Sequence, residues 1–446
     1  MGIDCLLIST NQVVTPFPVY PLGVAHLVGA LEEAGHRAFH YDILANGGTD
    51  SLEKYLADFR PALVGLSIRN LDTVDSTAPR TYIDAVVKTM EIVRKCTSVP
   101  VVLGGPAFSI LPEELLDFLK ADYGVIGEGE LLLPWLADQI ETGKPPKERI
   151  LRSEPSDTPW RPVKYDKQAV DYYLGWGGML NIQTKRGCPY NCGYCSYPSL
   201  EGNRYRFRDP EAVADDVMRV SREFGAPYIF FTDSVFNDAA GHYLKVAEAL
   251  IRAGNKTPWC GYFRPNKIEK DHLDLLVRSG LSAMELGTDA STDTTLAGLD
   301  KGFSFDDVLR FDELARDSEI SCAHFIIFGG PGETEETLVQ GLKNVEKLDG
   351  SVVFAFSGIR ILPGTAIFER AVREGVIAPD QPMREPVFYF SPEIAEQKIN
   401  EMVSASWKGR FDRIYPASMM EDRIRHLHHN GHVGPMWDFL VRSRKK

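Results

Sequence analysis

Short apolar runs alternate with amphipathic stretches along most of this chain, in two blocks. In the first, CLLIST (5–10), RAFHYDI (37–43), ALVGLSI (62–68), PVVLGG (100–105) and YGVIG (123–127) have the length and composition of short buried strands. Helical periodicity fills 21–35, 50–59, 79–96, 111–120 and 129–141, with Pro21 suited to the first helix start and Gly35 to its end. Strands buried on both faces need helices on both sides of a parallel sheet. Five such units predict a flavodoxin-like, doubly wound α/β domain over 1–142. A linker is expected over 143–177, which opens with the proline- and charge-rich GKPPKERILRSEPSDTPWRPVKY. The rhythm resumes in MLNIQTK (179–185), YIFFTD (228–233), PWCGYFR (258–264), AMELGTD (283–289), CAHFIIFGG (322–330) and VFAFSGIRIL (353–362). Helical stretches at 209–224, 240–254, 268–279, 304–318 and 334–348 separate these runs. The pattern predicts a partial (β/α)6 barrel over 178–365, its strand ends converging on one pocket, and a mostly helical region over 366–446.

Just after the first run of the second block stands TKRGCPYNCGYCSYPS, which spaces Cys188, Cys192 and Cys195 as C-x3-C-x2-C. Three thiolates on one short loop suit three irons of a cubic [4Fe–4S] cluster, leaving the fourth iron open for chemistry. Zinc is the rival, but a structural zinc site closes with four ligands. No other cysteine lies between Cys96 and Cys260, and the nearest histidine is His242. The remaining cysteines, Cys5, Cys96, Cys260 and Cys322, show no disulfide framework, which reads as a reducing cytosol. A net charge of −13 weighs against a nucleic-acid partner. No apolar run is long enough for a membrane span and no basic segment opens a signal peptide, so the expected location is cytoplasmic.

A five-unit sheet carrying PFPVYPLGVAHLVGALEEAGH and LGGP, followed by a C-x3-C-x2-C domain, resembles the cobalamin-dependent (class B) radical S-adenosylmethionine enzymes. The resemblance implies a first domain that binds cobalamin at its strand ends and a second that holds the cluster and S-adenosylmethionine. The implied cobalamin contacts are Asn11, Ser67, Arg69, Gly104, Gly105, Pro106, Gly127, Glu128 and Gly129. No D-x-H-x-x-G motif is present, so no histidine is expected on cobalt, and His26, His36 and His40 read as ordinary helix and strand residues.

In the second domain the resemblance assigns the cluster to Cys188, Cys192 and Cys195, with Tyr194 as the aromatic before the third cysteine. FFTDSVFND stands where relatives often carry a glycine-glycine-glutamate run, so Asp233 and Ser234 are expected near the methionine amine. A carboxylate there is a charge-assisted partner for a cation. On MELGTDA, alternation puts Glu285, Gly287 and Asp289 on one face, where an acid would accept from ribose hydroxyls. Gly329 and Gly330 of FIIFGGPGET resemble the segment that passes the adenine. Arg264 and Arg360 read either as anion partners or as barrel salt bridges.

The expected function is C-methylation of an unactivated carbon in a small or lipid-like metabolite, through a 5′-deoxyadenosyl radical and methylcobalamin. GHVGPMWDFL near the end resembles members grouped under lipid biosynthesis. An electron donor such as flavodoxin or ferredoxin is implied. An oxidative cyclase or rearrangement enzyme would use the same cofactors without methyl transfer, and a non-catalytic cobalamin- or redox-responsive protein is a further alternative. A methylthiotransferase would want a second cysteine trio, and the first domain offers only Cys5 and Cys96. The aromatic C-terminal region is expected to close the barrel mouth, with His426, His428, His429 and His432 as solvated or capping residues.

Overall fold

The computed structural model describes residues 2–14, 16–155, 160, 163–265 and 268–442. Its first sheet contains β1 (Asp4–Ser9), β2 (Arg37–Asp42), β3 (Leu63–Ser67), β4 (Val101–Gly104), β5 (Tyr123–Ile126) and β6 (Ile150–Arg152), all parallel. The order β2-β1-β3-β4-β5-β6 reverses direction between β1 and β3, and ligands of such sheets bind beyond the strand ends at that point. Helices cover both faces: Val24, Val28 and Leu31 pack against Leu7 and Val102 on one side, while Val86, Met90 and Val93 pack near Leu6 and Leu103 on the other.

β6 was not expected. It lies in the proline-rich connection, where Ile150 and Leu151 are too short an apolar run to signal a strand, yet they pair with Gly124 and Val125. A helix, Lys167–Gly177, follows in the same connection, capped by Asp166 accepting from Ala169 N. Residues 156–159 and 161–162 of the connection lie outside the described residues.

The second sheet runs β7 (Met179–Ile182), β8 (Tyr228–Phe231), β9 (Trp259–Phe263), β10 (Leu281–Asp289), β11 (Ser321–Phe328), β12 (Val352–Ser357) and β13 (Arg413–Ile414). All seven are parallel neighbours in that order, an open barrel with helices outside. The outer helices start at polar caps: Asp209 accepts from Ala212 N, and Ser304 and Thr334 form capping boxes. β13 is supplied by the C-terminal region, an addition that the six-strand expectation lacked.

That region also corrects the expected lid. Ile424, Met436, Trp437 and Leu440 pack with Met179, Phe230, Cys260, Ala283 and Val352, which stand at or near the beginnings of their strands. The segment therefore plugs the floor of the barrel, opposite the cysteine loop. Residues 389–403 do reach the other end, where Phe390 and Ile399 pack against Gly329.

The two domains are locked by buried and part-buried polar contacts. Arg360 Nε donates to Asp72 Oδ2 at 2.6 Å, and Arg360 also donates to the carbonyls of Ile361 and Met383. Arg360 is thus a bridge between domains and makes no open anion site. Glu114 accepts from Met383 N and Arg384 N, and Arg186 pairs with Glu128 and Glu130 at 3.0 and 2.6 Å.

Candidate active site

A chamber of about 640 Å³ lies between the end of the first sheet and the barrel mouth. Asn11, Ser67, Arg69, Gly104, Gly105, Pro106, Gly127, Glu128 and Gly129 all line it, facing Asn181, Gln183, Ser196, Tyr197 and Thr232 from the barrel. Two glycines make the first wall. Gly105 has φ +93°, and a Cβ there would sit 2.6 Å from the Ile68 carbonyl oxygen. At Gly129 a Cβ would sit 2.9 Å from Leu27 Cδ2, so that side chain would have to shift. Glu128 departs from its expected role, since its carboxylate is taken by Arg186 and Arg206. It seals the chamber edge, leaving only its backbone to face a ligand.

The cysteine loop forms the other border of this space, because Ser196 and Tyr197 directly follow Cys195. Cys188, Cys192 and Cys195 are free thiols. Their sulfurs do not all lie within 4.8 Å of one another, the closeness that ligands of a single ion would need. That wide spread fits a cubane, whose corners are separate irons, better than zinc. Burial raises the Cys188 thiol and pushes Cys195 up to about 12, and repulsion from neighbouring cysteines adds to both. Thiolates so placed need the positive charge of a bound metal group.

Two cations stand by. Arg264 Nη1 lies 3.9 Å from Cys192 Sγ and stacks over Tyr190 and Phe303. Lys301 is buried, which works against its charge, but Asp289 and Cys192 outweigh burial and raise its pKa. Lys301 was not singled out in the sequence, because a lysine beginning KGF looks like any surface lysine.

The remaining residues separate into two groups. Tyr194 Oη donates to Asp289 Oδ2 at 2.7 Å, and Lys301 pairs with the same carboxylate, so these residues meet at the end of β10 beside the cluster loop. Ser234 Oγ donates to the Gly187 carbonyl at 2.9 Å and supports the loop from below. Asp233, by contrast, is fully buried: Oδ1 accepts from Thr184 N and Lys185 N, and Oδ2 from Thr184 Oγ1 and Lys185 Nζ. Its oxygens are consumed by the chain, so the expectation of an amine-binding carboxylate is corrected to a bracket for the strand-to-loop turn. Gly329 (φ +87°) and Gly330 are crowded by Phe390, Ile399 and Ile359, and their absent side chains make room for packing. Gly287 sits beneath Asp289, whose Oδ2 would meet a Cβ at 3.5 Å. Glu285 stands apart, deep in the barrel, with no hydrogen-bond partner for Oε1 among the described residues.

The C-terminal histidines form no metal group among the described residues. His428 Nε2 bonds the Gly434 carbonyl oxygen at 3.0 Å, His429 packs on Trp176 and His432 on Phe439.

Comparison with known proteins matches the Radical SAM superfamily over residues 182–344 and the B12 binding domain over 9–137. The fold superposes with a TM-score of 0.86 on the radical S-adenosylmethionine methyltransferase TsrM from Kitasatospora setae, solved with cobalamin and a [4Fe–4S] cluster bound. That likeness covers 100% of this chain and 98% of TsrM at 25% identity. The chain belongs to the cobalamin-dependent radical S-adenosylmethionine enzymes. As a member of this family it uses a [4Fe–4S] cluster, S-adenosylmethionine and cobalamin. A non-catalytic sensor is therefore set aside in favour of an enzyme. Tryptophan 2-C-methyltransferase of Streptomyces laurentii is 26% identical over 80% of this chain and 72% of that protein. The anaerobic magnesium-protoporphyrin IX monomethyl ester cyclase of Cereibacter sphaeroides is 26% identical over 71% of this chain and 55% of that protein. No described helix is long and apolar enough to cross a membrane.

Proposed function

We propose that this enzyme transfers a methyl group from S-adenosylmethionine to a carbon of a small molecule held between the barrel mouth and the first domain. One observation carries the reading: the cysteine loop, through Ser196 and Tyr197, and the strand ends of the first domain share one chamber. A substrate there is within reach of both cofactor sites. When bound, the cofactors supply the chemistry that no side chain can, namely electron delivery to a sulfonium and a carrier for its methyl group.

The chain's own residues bind, orient and enclose. Cys188, Cys192 and Cys195 hold the cluster, with Arg264 and Lys301 balancing its charge. Asp289, fixed by Tyr194 and Lys301, is the acid at the strand end that faces the ribose, beside the turn at Gly329 and Gly330. Nine of the first-domain residues that line the chamber, the expected contacts from Asn11 to Gly129, would hold cobalamin, chiefly through backbone exposed by Gly104, Gly105, Gly127 and Gly129. The buried Arg360–Asp72 pair and the part-buried Arg186–Glu130 pair hold the two domains together around the chamber, which would limit water near reactive species. An electron donor such as flavodoxin or ferredoxin serves the cluster. The cyclase relative keeps a rearrangement without methyl transfer as the second reading.

The test is anaerobic incubation of holoenzyme with S-adenosylmethionine deuterated on its methyl group and a metabolite extract. A product carrying the intact labelled methyl on carbon supports the proposal. Consumption of S-adenosylmethionine with a converted but unlabelled product sinks it in favour of rearrangement.

A further inference from the structure

Two polar groups inside the barrel are left without a partner. Glu285 Oε1 and Asn181 Nδ2 are buried and make no hydrogen bond among the described residues. Glu285 is 5% exposed and Asn181 2%. Orphaned buried polar atoms are rare, because losing water without a replacement costs free energy that a fold seldom tolerates.

Strand register places both groups. Phe230 pairs with Asn181 on β7 and with Cys260 on β9, and Cys260 pairs with Ala283 on β10. Phe230, Cys260 and Ala283 belong to the apolar floor with Trp437. Two residues further along, on the same face, Tyr262 pairs with Glu285. Two residues beyond Asn181 and Phe230 come Gln183 and Thr232, both walls of the chamber. Glu285 therefore stands in the first layer above the floor. It lies four residues below Asp289, roughly 13 Å along an extended strand, too far to share one ribose with it.

On β11 the register partner of Glu285 is Ala323. On β9, Tyr262 is 38% exposed, and Tyr197 of the chamber lining is 37% exposed. The Tyr262 phenol is raised by burial and by Glu285, and it feels Tyr197 and Arg69 as well. Tyr262 is thus the β9 neighbour of Glu285 by register. Its ring meets Phe230 edge-on at 5.2 Å. The Glu285 carboxyl is itself raised to about 8 by burial alone, with no cation contributing.

We propose that Glu285 is the substrate-recognition residue: it accepts a hydrogen bond from an N–H group of an amine-bearing substrate, while Asn181 donates to an acceptor on the same molecule. The inference rests on the small-molecule reading of the chamber. An ammonium supplies the missing donor and charge. A hydrocarbon lipid would leave the carboxyl unpaired. Lipid-like substrates therefore give way to amines.

The test is equilibrium binding of phenethylamine and tryptamine to cofactor-loaded enzyme, alongside their N,N,N-trimethyl analogues. Those analogues keep the charge but remove every N–H from that nitrogen. At least one parent amine is expected to bind wild type about ten-fold or more tightly than it binds Glu285→Gln, and than wild type binds its trimethyl analogue. Glu285→Asp, which withdraws the carboxyl by one methylene, and Asn181→Leu should weaken the same amine. Retained cobalamin and cluster spectra verify that each variant is folded. Equal affinity for wild type and Glu285→Gln, or no amine binding to wild type, overturns the proposal. Release of S-adenosylhomocysteine by the same preparations is scored separately: its absence counts against methyl transfer, whereas amine binding stands or falls on Glu285.

Discussion

Replacing Glu285 by glutamine makes the energetic argument measurable without any ligand. Burial raises this carboxyl from 4.5 to about 8. A raised carboxyl means that the native state holds its proton more tightly than the unfolded chain does. Stability is therefore greatest below the unfolded pKa and declines as pH climbs toward the folded one. Each unit corresponds to about 1.4 kcal/mol, so the cost to wild type at pH 7 is on the order of 3 kcal/mol. An amide cannot ionise and removes that dependence. In urea unfolding of cofactor-free protein, the Glu285→Gln variant should gain on wild type by about 2–3 kcal/mol between pH 6 and pH 8, whatever its constant offset. Parallel stability profiles across that range would refute the reasoning, because they would mean that Glu285 has a partner.

Other changes test the architecture. Alanine at Cys188, Cys192 or Cys195 should abolish iron binding while cobalamin is retained, as metal analysis and visible spectra would show, because the two sites are built from different domains. Asp72→Ala leaves the buried Arg360 guanidinium unpaired and should destabilise the protein by about 3–5 kcal/mol in urea unfolding. Gly105→Ala should cost more than about 1 kcal/mol and lower cobalamin retention, since φ is +93° and the new methyl would strike the Ile68 carbonyl.

The alternation of apolar runs made both parallel sheets legible, because strands buried on two faces advertise themselves as continuous apolar segments. Ile150–Arg152 and Arg413–Ile414 were not legible: each is only two or three residues long, and it becomes a strand by completing the edge of a sheet already present. The cysteine trio could be read because its spacing is local. Asp233 shows the limit of that approach. A motif position suggested a ligand, but Lys185, Thr184 and the turn itself fill both oxygens, a fact of three-dimensional packing. Lys301 and Tyr262 carried no signal, since a lysine or tyrosine declares its role only when the fold sets it beside a cysteine loop or a carboxyl. Arg264 and Arg360 looked equivalent in sequence, and the fold placed one against Cys192 and the other in the domain lock.

The most direct measurement counts the two fragments of S-adenosylmethionine released by reduced, cofactor-loaded enzyme turning over its substrate. Methyl transfer predicts S-adenosylhomocysteine in step with methylated product, lost in the Cys188→Ala variant. Turnover that yields 5′-deoxyadenosine with no S-adenosylhomocysteine would contradict the account.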